Sequence, residues 1–190
     1  MENLNKLPFL NISKENFELM DDLLEKEQIG NVISAIYHYC YNGVEPQLSK
    51  VEMGVFKNII SVIERKGKAY LNKIEAGKNN FEKVNKERKR INNNEDEDLF
   101  QVMEISDIKN VLFPVDIWAV MMGMSNEEIG RIMKCVYLAI FEDKTSFNLT
   151  KQEFRVFNVL FNNVLYSAYK YIDKYNSFSK KNKKDIESNE

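Results

Sequence analysis

Few residues in this chain could carry out acid–base, nucleophilic or metal chemistry. The 190 residues include one histidine, His38, and two cysteines, Cys40 and Cys135. His38 and Cys40 are two positions apart, which places them on different faces of a helix and not at the spacing of a metal pair. Phosphate-binding glycine loops, nucleophile elbows and HExxH sequences are absent from the sequence. We therefore predict a non-enzymatic protein without cofactor or metal, in which His38 is a surface or partly buried residue and both cysteines belong to the core.

A strip of basic residues is the first candidate binding surface. Between residues 64 and 90 the sequence has ten lysines or arginines and four glutamates, although the formal net charge of the whole chain is −2. Such a strip can follow a nucleic-acid backbone, because lysine and arginine release counterions from phosphates. The competing interpretation is an ordinary solvated helix end. The residues of this basic strip expected to contact nucleic acid or a partner are Arg65, Lys66, Lys68, Lys73, Lys83, Lys86, Arg88, Lys89 and Arg90.

A second candidate surface combines aromatic and acidic residues. Residues 151–175 include more phenylalanines and tyrosines than one helical stripe can bury, and such residues are enriched in the cores of protein interfaces. Packing between two parts of the chain is the competing explanation. Residues 95–98 are four consecutive carboxylates. Such a run is most simply exposed to solvent, but it could also imitate the charge of a nucleic acid in the basic groove of a partner. The residues expected at a partner interface are Tyr166, Tyr169, Glu95, Asp96, Glu97 and Asp98.

The elements that position these residues are predicted to be helices, so the predicted fold class is all-α. Apolar residues recur at three- and four-residue steps over residues 29–40 and 129–140. Three capping boxes mark helix starts, at Ser49–Glu52, Ser125–Glu128 and Thr150–Glu153. The pattern predicts short helices at about 14–24 and 115–123, middle helices at 26–41 and 126–142, and long helices at 50–76 and 151–175.

The predicted helices form two similar sets. A shift of 100 positions places Glu27-Gln28-Ile29-Gly30 on Glu127-Glu128-Ile129-Gly130, and a shift of 101 places Leu48-Ser49-Lys50 on Leu149-Thr150-Lys151. We interpret this as a tandem duplication of a three-helix unit of roughly 60 residues. The expected organisation is a first helical unit at 1–77, a charged linker at 78–110, a second, divergent unit at 111–176 and a polar tail at 177–190.

Two glycines lie near the starts of the middle helices. In a helix, glycine costs about 1 kcal/mol relative to alanine. We expect that Gly30 and Gly130 allow a neighbouring helix to approach closely. The alternative is that both are simply tolerated in a first helical turn.

The first unit resembles a known family. The resemblance is carried by Glu27-Gln28-Ile29-Gly30, by Ile36-Tyr37-His38-Tyr39 and, most specifically, by the turn Asn42-Gly43-Val44-Glu45-Pro46-Gln47-Leu48. These residues are similar to a domain of unknown function common in phages and prophages of low-GC Gram-positive bacteria, where it occurs in proteins of replication modules. Over about residues 13–78 the resemblance implies a helical fold and a phage setting, but it identifies no catalytic residue. The second unit lacks the specific turn.

Two functions from different classes are our hypotheses. The first is a phage-type accessory protein linked to phage DNA replication, which binds DNA or a replication protein as a scaffold. The alternative is a phage-encoded inhibitor that binds a host protein such as a nucleic-acid-guided, CRISPR-type defence effector. The expected partners are a host or phage protein or a nucleic acid, with a homo-oligomer left open. Because no apolar run could span a bilayer and no secretory signal is visible, we expect no membrane partner and a location in the cytoplasm of the bacterial host cell.

Overall fold

The computed structural model describes residues 4–84 and 107–187, with side chains described for residues 4–76 and 107–177. Its described part is mostly helical, which confirms that part of the fold prediction. A short 3₁₀ turn at Leu4–Lys6 precedes the first strand. The further elements are β1 (Phe9–Ser13), α1 (Lys14–Leu23), α2 (Lys26–Tyr37), α3 (Lys50–Val84), β2 (Asn110–Pro114), α4 (Val115–Met121), α5 (Asn126–Phe141) and α6 (Lys151–Glu187).

The three predicted capping boxes are present. In each, the glutamate accepts a hydrogen bond from the backbone N–H of the capping residue, and the hydroxyl of that residue accepts one from the backbone N–H of the glutamate. These reciprocal bonds satisfy N–H groups that the first turn of a helix leaves without intrahelical partners. The N–H to carboxylate distances are 2.8 Å for Ser49 and Glu52, 2.8 Å for Ser125 and Glu128, and 2.7 Å for Thr150 and Glu153.

Two short strands correct the prediction of an all-α fold. β1 pairs with β2 in antiparallel orientation, with Leu10 opposite Phe113 and Ile12 opposite Val111. These four side chains are buried, so one face of the sheet belongs to the core. A five-residue alternation is a weak signal for a strand. Each strand also pairs with a strand from the other half of the chain, and a local sequence pattern does not indicate such a distant pairing.

Helices α2 and α5 pack against each other at the centre of the fold. A Cβ atom placed on Gly30 would lie 1.7 Å from the carbonyl oxygen of Asn126, and one placed on Gly130 would lie 1.7 Å from the carbonyl oxygen of Lys26. No side chain fits at such a distance. The predicted close approach at both glycines is confirmed.

The end of α2 differs from the prediction. The α-helix stops at Tyr37 and continues as one π-helical turn over His38–Asn42. Gly43 then ends the helical path with φ of 66°, in the left-handed region that glycine adopts without steric cost. Of the turn at residues 42–48, Asn42 therefore still belongs to the π-helical turn, and the rest follows from Gly43 onward.

Both long helices extend past the ends expected from their apolar residues. α3 continues to Val84 and α6 to Glu187, beyond the expected ends at 76 and 175. The added segments are rich in lysine, asparagine and glutamate, and the long unbranched side chains among them favour helix without any apolar stripe. α3 packs on α2 and β1, whereas α6 packs on α5, α4 and β2.

Candidate nucleic-acid interface

Three side chains of the basic strip lie on the outside of α3. Arg65, Lys68 and Lys73 are exposed, and none of them forms an ion pair with another residue in the described part of the chain. For Arg65 and Lys68 this follows from helical periodicity, because the buried stripe of α3 includes Ile59 and Ile63 on the opposite side. Lys73 is exposed because it lies in the segment 72–76, where every residue of α3 is exposed. These three cations are therefore open to a ligand from solvent.

Lys66 has a different environment from its neighbours in the strip. Its Nζ donates hydrogen bonds to the amide oxygen of Asn11, at 3.3 Å, and to that of Asn110. The side chain thus connects α3 to both strands. Burial lowers the pKa of the Lys66 ammonium group, and Glu15 acts in the opposite direction. The sequence alone did not separate this half-buried lysine from the exposed Arg65.

Part of the predicted binding surface lies outside the described residues. Lys83 is in α3, but beyond the residues whose side chains are described. The remaining basic residues Lys86, Arg88, Lys89 and Arg90, and the acidic residues Glu95, Asp96, Glu97 and Asp98, all fall between residues 85 and 106.

The aromatic residues of α6 divide into buried and exposed sets. Phe157 is 5% exposed and belongs to the core. Tyr166 is 60% exposed and Tyr169 is 52% exposed; three residues apart, they share one face of the helix. The Nζ of Lys170 lies 4.6 Å from the centre of the Tyr166 ring. Tyr171 and Tyr175 are also exposed, although they lie on the same face of α6 as its buried residues.

A groove of about 430 Å³ lies over the outer face of the sheet, between α3 and α6. Asn11 and Leu112, which are opposite each other in the strands, line it from below. Lys66 borders it from α3, Tyr171 borders it from α6, and Lys109 lies at its β2 side. The sequence did not indicate this groove, because the strands that line it were not predicted.

Among the described residues, the ring of Tyr171 has no counterpart of the aromatic contact made by the tyrosine at the matching position of α3. Tyr70 and Tyr171 each lie twenty residues after the first residue of their helix. Tyr70 packs edge-on against Phe9, the first residue of β1, with ring centres 5.1 Å apart. The first residue of β2 is Asn110, which accepts a hydrogen bond from Lys66 instead. Tyr171 is consequently 58% exposed at the wall of the groove.

Two buried carboxylates beside the central helices have structural partners. Glu153 accepts a hydrogen bond from Arg131 Nε at 2.6 Å, and Glu52 accepts one from the Asn31 amide at 2.7 Å. Burial alone would raise the pKa of each carboxyl group, but hydrogen bonds, including those of the capping boxes, outweigh it and lower both pKa values. Carboxylates stabilised in this way hold the starts of α3 and α6 and are poor proton donors.

The side chains with nucleophilic or metal-binding chemistry remain apart. Burial raises the pKa of the Cys40 thiol to about 12, so this sulfur is a poor nucleophile. His38 Nδ1 is 2.8 Å from the Asn42 amide nitrogen. Among the described residues, no three His, Cys, Asp or Glu side chains are grouped so that they could bind a metal ion. None of the helices in the described part has the length and apolar character that crossing a membrane requires.

Comparison with known protein families gives a match. Residues 14–90 match DUF6291, a family of unknown function. The matched segment extends from the start of α1 to the last residue of the basic strip and covers less than half of the chain. Neither a curated protein nor a solved structure matches the chain. The resemblance of the first unit to a family of unknown function is thereby confirmed, and its phage and replication setting stays a prediction.

Proposed function

We propose that this chain is a non-enzymatic protein that binds nucleic acid through the outer surface of α3. The observation that carries the proposal is the exposure of Arg65, Lys68 and Lys73 without ion-pair partners among the described residues. These residues span about 12 Å of helix. A nucleic-acid duplex presents roughly seven phosphate charges over that length.

The charge of the whole chain determines what kind of binding this would be. With a formal net charge of −2, the protein has little overall attraction for a polyanion. Attraction must come from the local basic strip, whose contacts position a nucleic acid without reading its sequence. Binding of this kind is independent of sequence and falls steeply with salt.

The tandem duplication is a further part of the proposal. It is supported by the reciprocal contacts of α2 and α5, in which Gly30 lies against the Asn126 carbonyl and Gly130 against the Lys26 carbonyl. It is also supported by the element order, since each half of the described chain has a strand, a short helix, a middle helix and a long helix. Reciprocal contacts of this kind are characteristic of a two-fold interface between two copies of one unit. The two long helices would then be equivalent elements on either side of the sheet.

The setting that we propose is phage DNA replication in the cytoplasm of a bacterial host, with this protein as an accessory or scaffold. Support for the setting comes from the resemblance of the first unit. The basic strip supports nucleic acid as the ligand within that setting.

One observation favours a second candidate, the inhibitor that binds a host protein. Tyr166 and Tyr169 expose more than half of their side-chain surface on one face of α6, and tyrosine is frequent among residues that dominate interface energies. An inhibitor of this kind should lose its partner when both tyrosines are replaced by alanine. Binding to nucleic acid should be unaffected by that replacement.

The proposal can be tested with a gel shift at low salt, using both single- and double-stranded DNA. We expect binding by the unmodified protein and loss of binding when Arg65, Lys68 and Lys73 are all replaced by glutamine. The matched control replaces Lys50, Lys57 and Lys151, which are exposed lysines near the starts of α3 and α6, and it should bind normally. Thermal melts should show that both triple variants are folded. If the unmodified protein bound neither single- nor double-stranded DNA, the proposal would be overturned. The same holds if the control variant lost DNA binding to the same extent as the first variant.

A further inference from the structure

We infer that the groove between α3 and α6 binds one nucleotide of a single-stranded nucleic acid, with the base on Tyr171 and the phosphate near Lys66 and Lys109. This inference rests on the proposed nucleic-acid function and adds the form of the nucleic acid and a second contact site. The groove has a volume of about 430 Å³, which lies within the usual range for small-ligand sites, about 300–1,000 Å³.

The cationic side of the groove is suited to a phosphate. The ammonium group of Lys66 has three N–H donors, and two of them are directed to the amide oxygens of Asn11 and Asn110. These bonds hold the charged end in place, so a ligand that accepts from the third N–H pays little to order the side chain. The group is also half-buried, and an anion would replace part of its lost hydration. Lys109 supplies a second positive charge at the same groove.

The other side of the groove is suited to a flat aromatic group. Tyr171 exposes 58% of its surface there, beside the small side chains of Ser167 and Ala168 and above Leu112. The corresponding tyrosine of α3, Tyr70, has an aromatic ring as its neighbour. A nucleobase would give Tyr171 a comparable contact. The carboxylate of Asp107 also lines the groove and disfavours a ligand that consists of phosphate alone.

Stacking on the ring of Tyr171 requires an unpaired base. In a duplex, both faces of each base are covered by its stacked neighbours, whereas a single strand can turn a base out onto an aromatic side chain. Binding at the groove should therefore discriminate between single strands and duplexes. Phosphate contacts along the outside of α3 should occur with either form.

The test is fluorescence anisotropy of the full chain with a labelled dT20 oligonucleotide and a labelled DNA hairpin that is fully paired. We expect Tyr171→Ala to weaken binding of dT20 by about 5- to 150-fold and to leave hairpin binding unchanged. Tyr171→Phe should keep the affinity for dT20, since the ring remains. Val159→Ala, at an exposed position on another face of α6, is the control and should bind like the unmodified protein.

A second variant keeps the inference testable if Tyr171→Ala does not fold. Lys109 is exposed, and Lys109→Gln should weaken dT20 binding more than hairpin binding. Unchanged dT20 affinity in a folded Tyr171→Ala variant, or stronger binding of the hairpin than of dT20, would overturn the inference and leave the proposed function standing. Equal affinity for thymidine monophosphate and dT20 would also overturn it, because the groove would then bind a free nucleotide. Absence of binding to both oligonucleotides would overturn both proposals.

Discussion

Gly30 and Gly130 make the same contact in opposite directions. The Cα of Gly30 is so close to the main chain of α5 that an added Cβ would lie 1.7 Å from the Asn126 carbonyl oxygen, and Gly130 has the same relation to Lys26 of α2. The Asn126 amide also donates to the Asn31 side chain at 2.6 Å, directly beside this contact. At the centre of the fold, the backbones of α2 and α5 are therefore in direct contact, and this contact requires a residue without a side chain at both positions.

Replacing either of these glycines should be strongly destabilising. In Gly30→Ala and Gly130→Ala the new methyl group meets a backbone carbonyl, so α2 and α5 must separate. We expect a loss of about 3 kcal/mol in the free energy of unfolding, the upper end of the usual cost of overpacking. Urea denaturation followed by fluorescence of Trp118, the single tryptophan, measures it. Gly54→Ala is the control, because an added Cβ there meets open space and should be neutral or stabilising by up to about 1 kcal/mol. Equal stability of the Gly30→Ala and Gly54→Ala variants would refute the close approach.

The phenylalanines of the long helices should differ in importance according to burial. Phe56→Ala and Phe157→Ala should each lower the free energy of unfolding by about 3–5 kcal/mol, since both rings are almost fully buried. Phe154→Ala, at a half-exposed position one helical turn before Phe157, should cost clearly less. Thermal melts of the three variants provide the comparison. A melting temperature unchanged in Phe56→Ala or Phe157→Ala would contradict the assignment of these rings to the core.

Stability should fall in acid through the buried carboxylates. Because hydrogen bonds lower the pKa of Glu153 in the folded state below the ordinary 4.5, its contribution is complete above that value and is lost as the pH falls through the folded pKa. Glu153→Gln should therefore be less stable at pH 7, by about 1–3 kcal/mol, and should lose less further stability between pH 5 and pH 3. Urea titrations at several pH values measure both effects. An acid dependence identical to that of the unmodified protein would show that Glu153 makes no such contribution.

The two thiols should differ in reactivity. Cys40 is buried, and its pKa of about 12 leaves very little thiolate at pH 8, so its alkylation should be about a thousandfold slower than in urea. Cys135 is half-buried; burial raises the pKa of its thiol as well, but iodoacetamide can reach it more easily. Mass spectrometry of partly alkylated protein should find the label at Cys135 first. Faster labelling of Cys40 in the folded protein would contradict its placement.

The features that the sequence predicted well are those encoded locally. The capping boxes at Ser49, Ser125 and Thr150 mark helix starts within four residues of sequence, and all three helices begin there. The sheet escaped prediction because Leu10 and Phe113 meet only after the chain has folded. The groove depends on that sheet, so the distinct environments of Lys66 and Tyr171 could not be recognised from the sequence either.

The most direct test of the central claim, that Arg65, Lys68 and Lys73 of α3 contact phosphates, is the salt dependence of duplex DNA binding. For the unmodified protein, the logarithm of the association constant should fall linearly with the logarithm of the salt concentration. Each lost contact reduces the slope by about 0.9. The variant with glutamine at Arg65, Lys68 and Lys73 should therefore have a slope smaller by about 2–3, whereas the variant with glutamine at Lys50, Lys57 and Lys151 should keep the original slope. An unchanged slope in the first variant would contradict the claim.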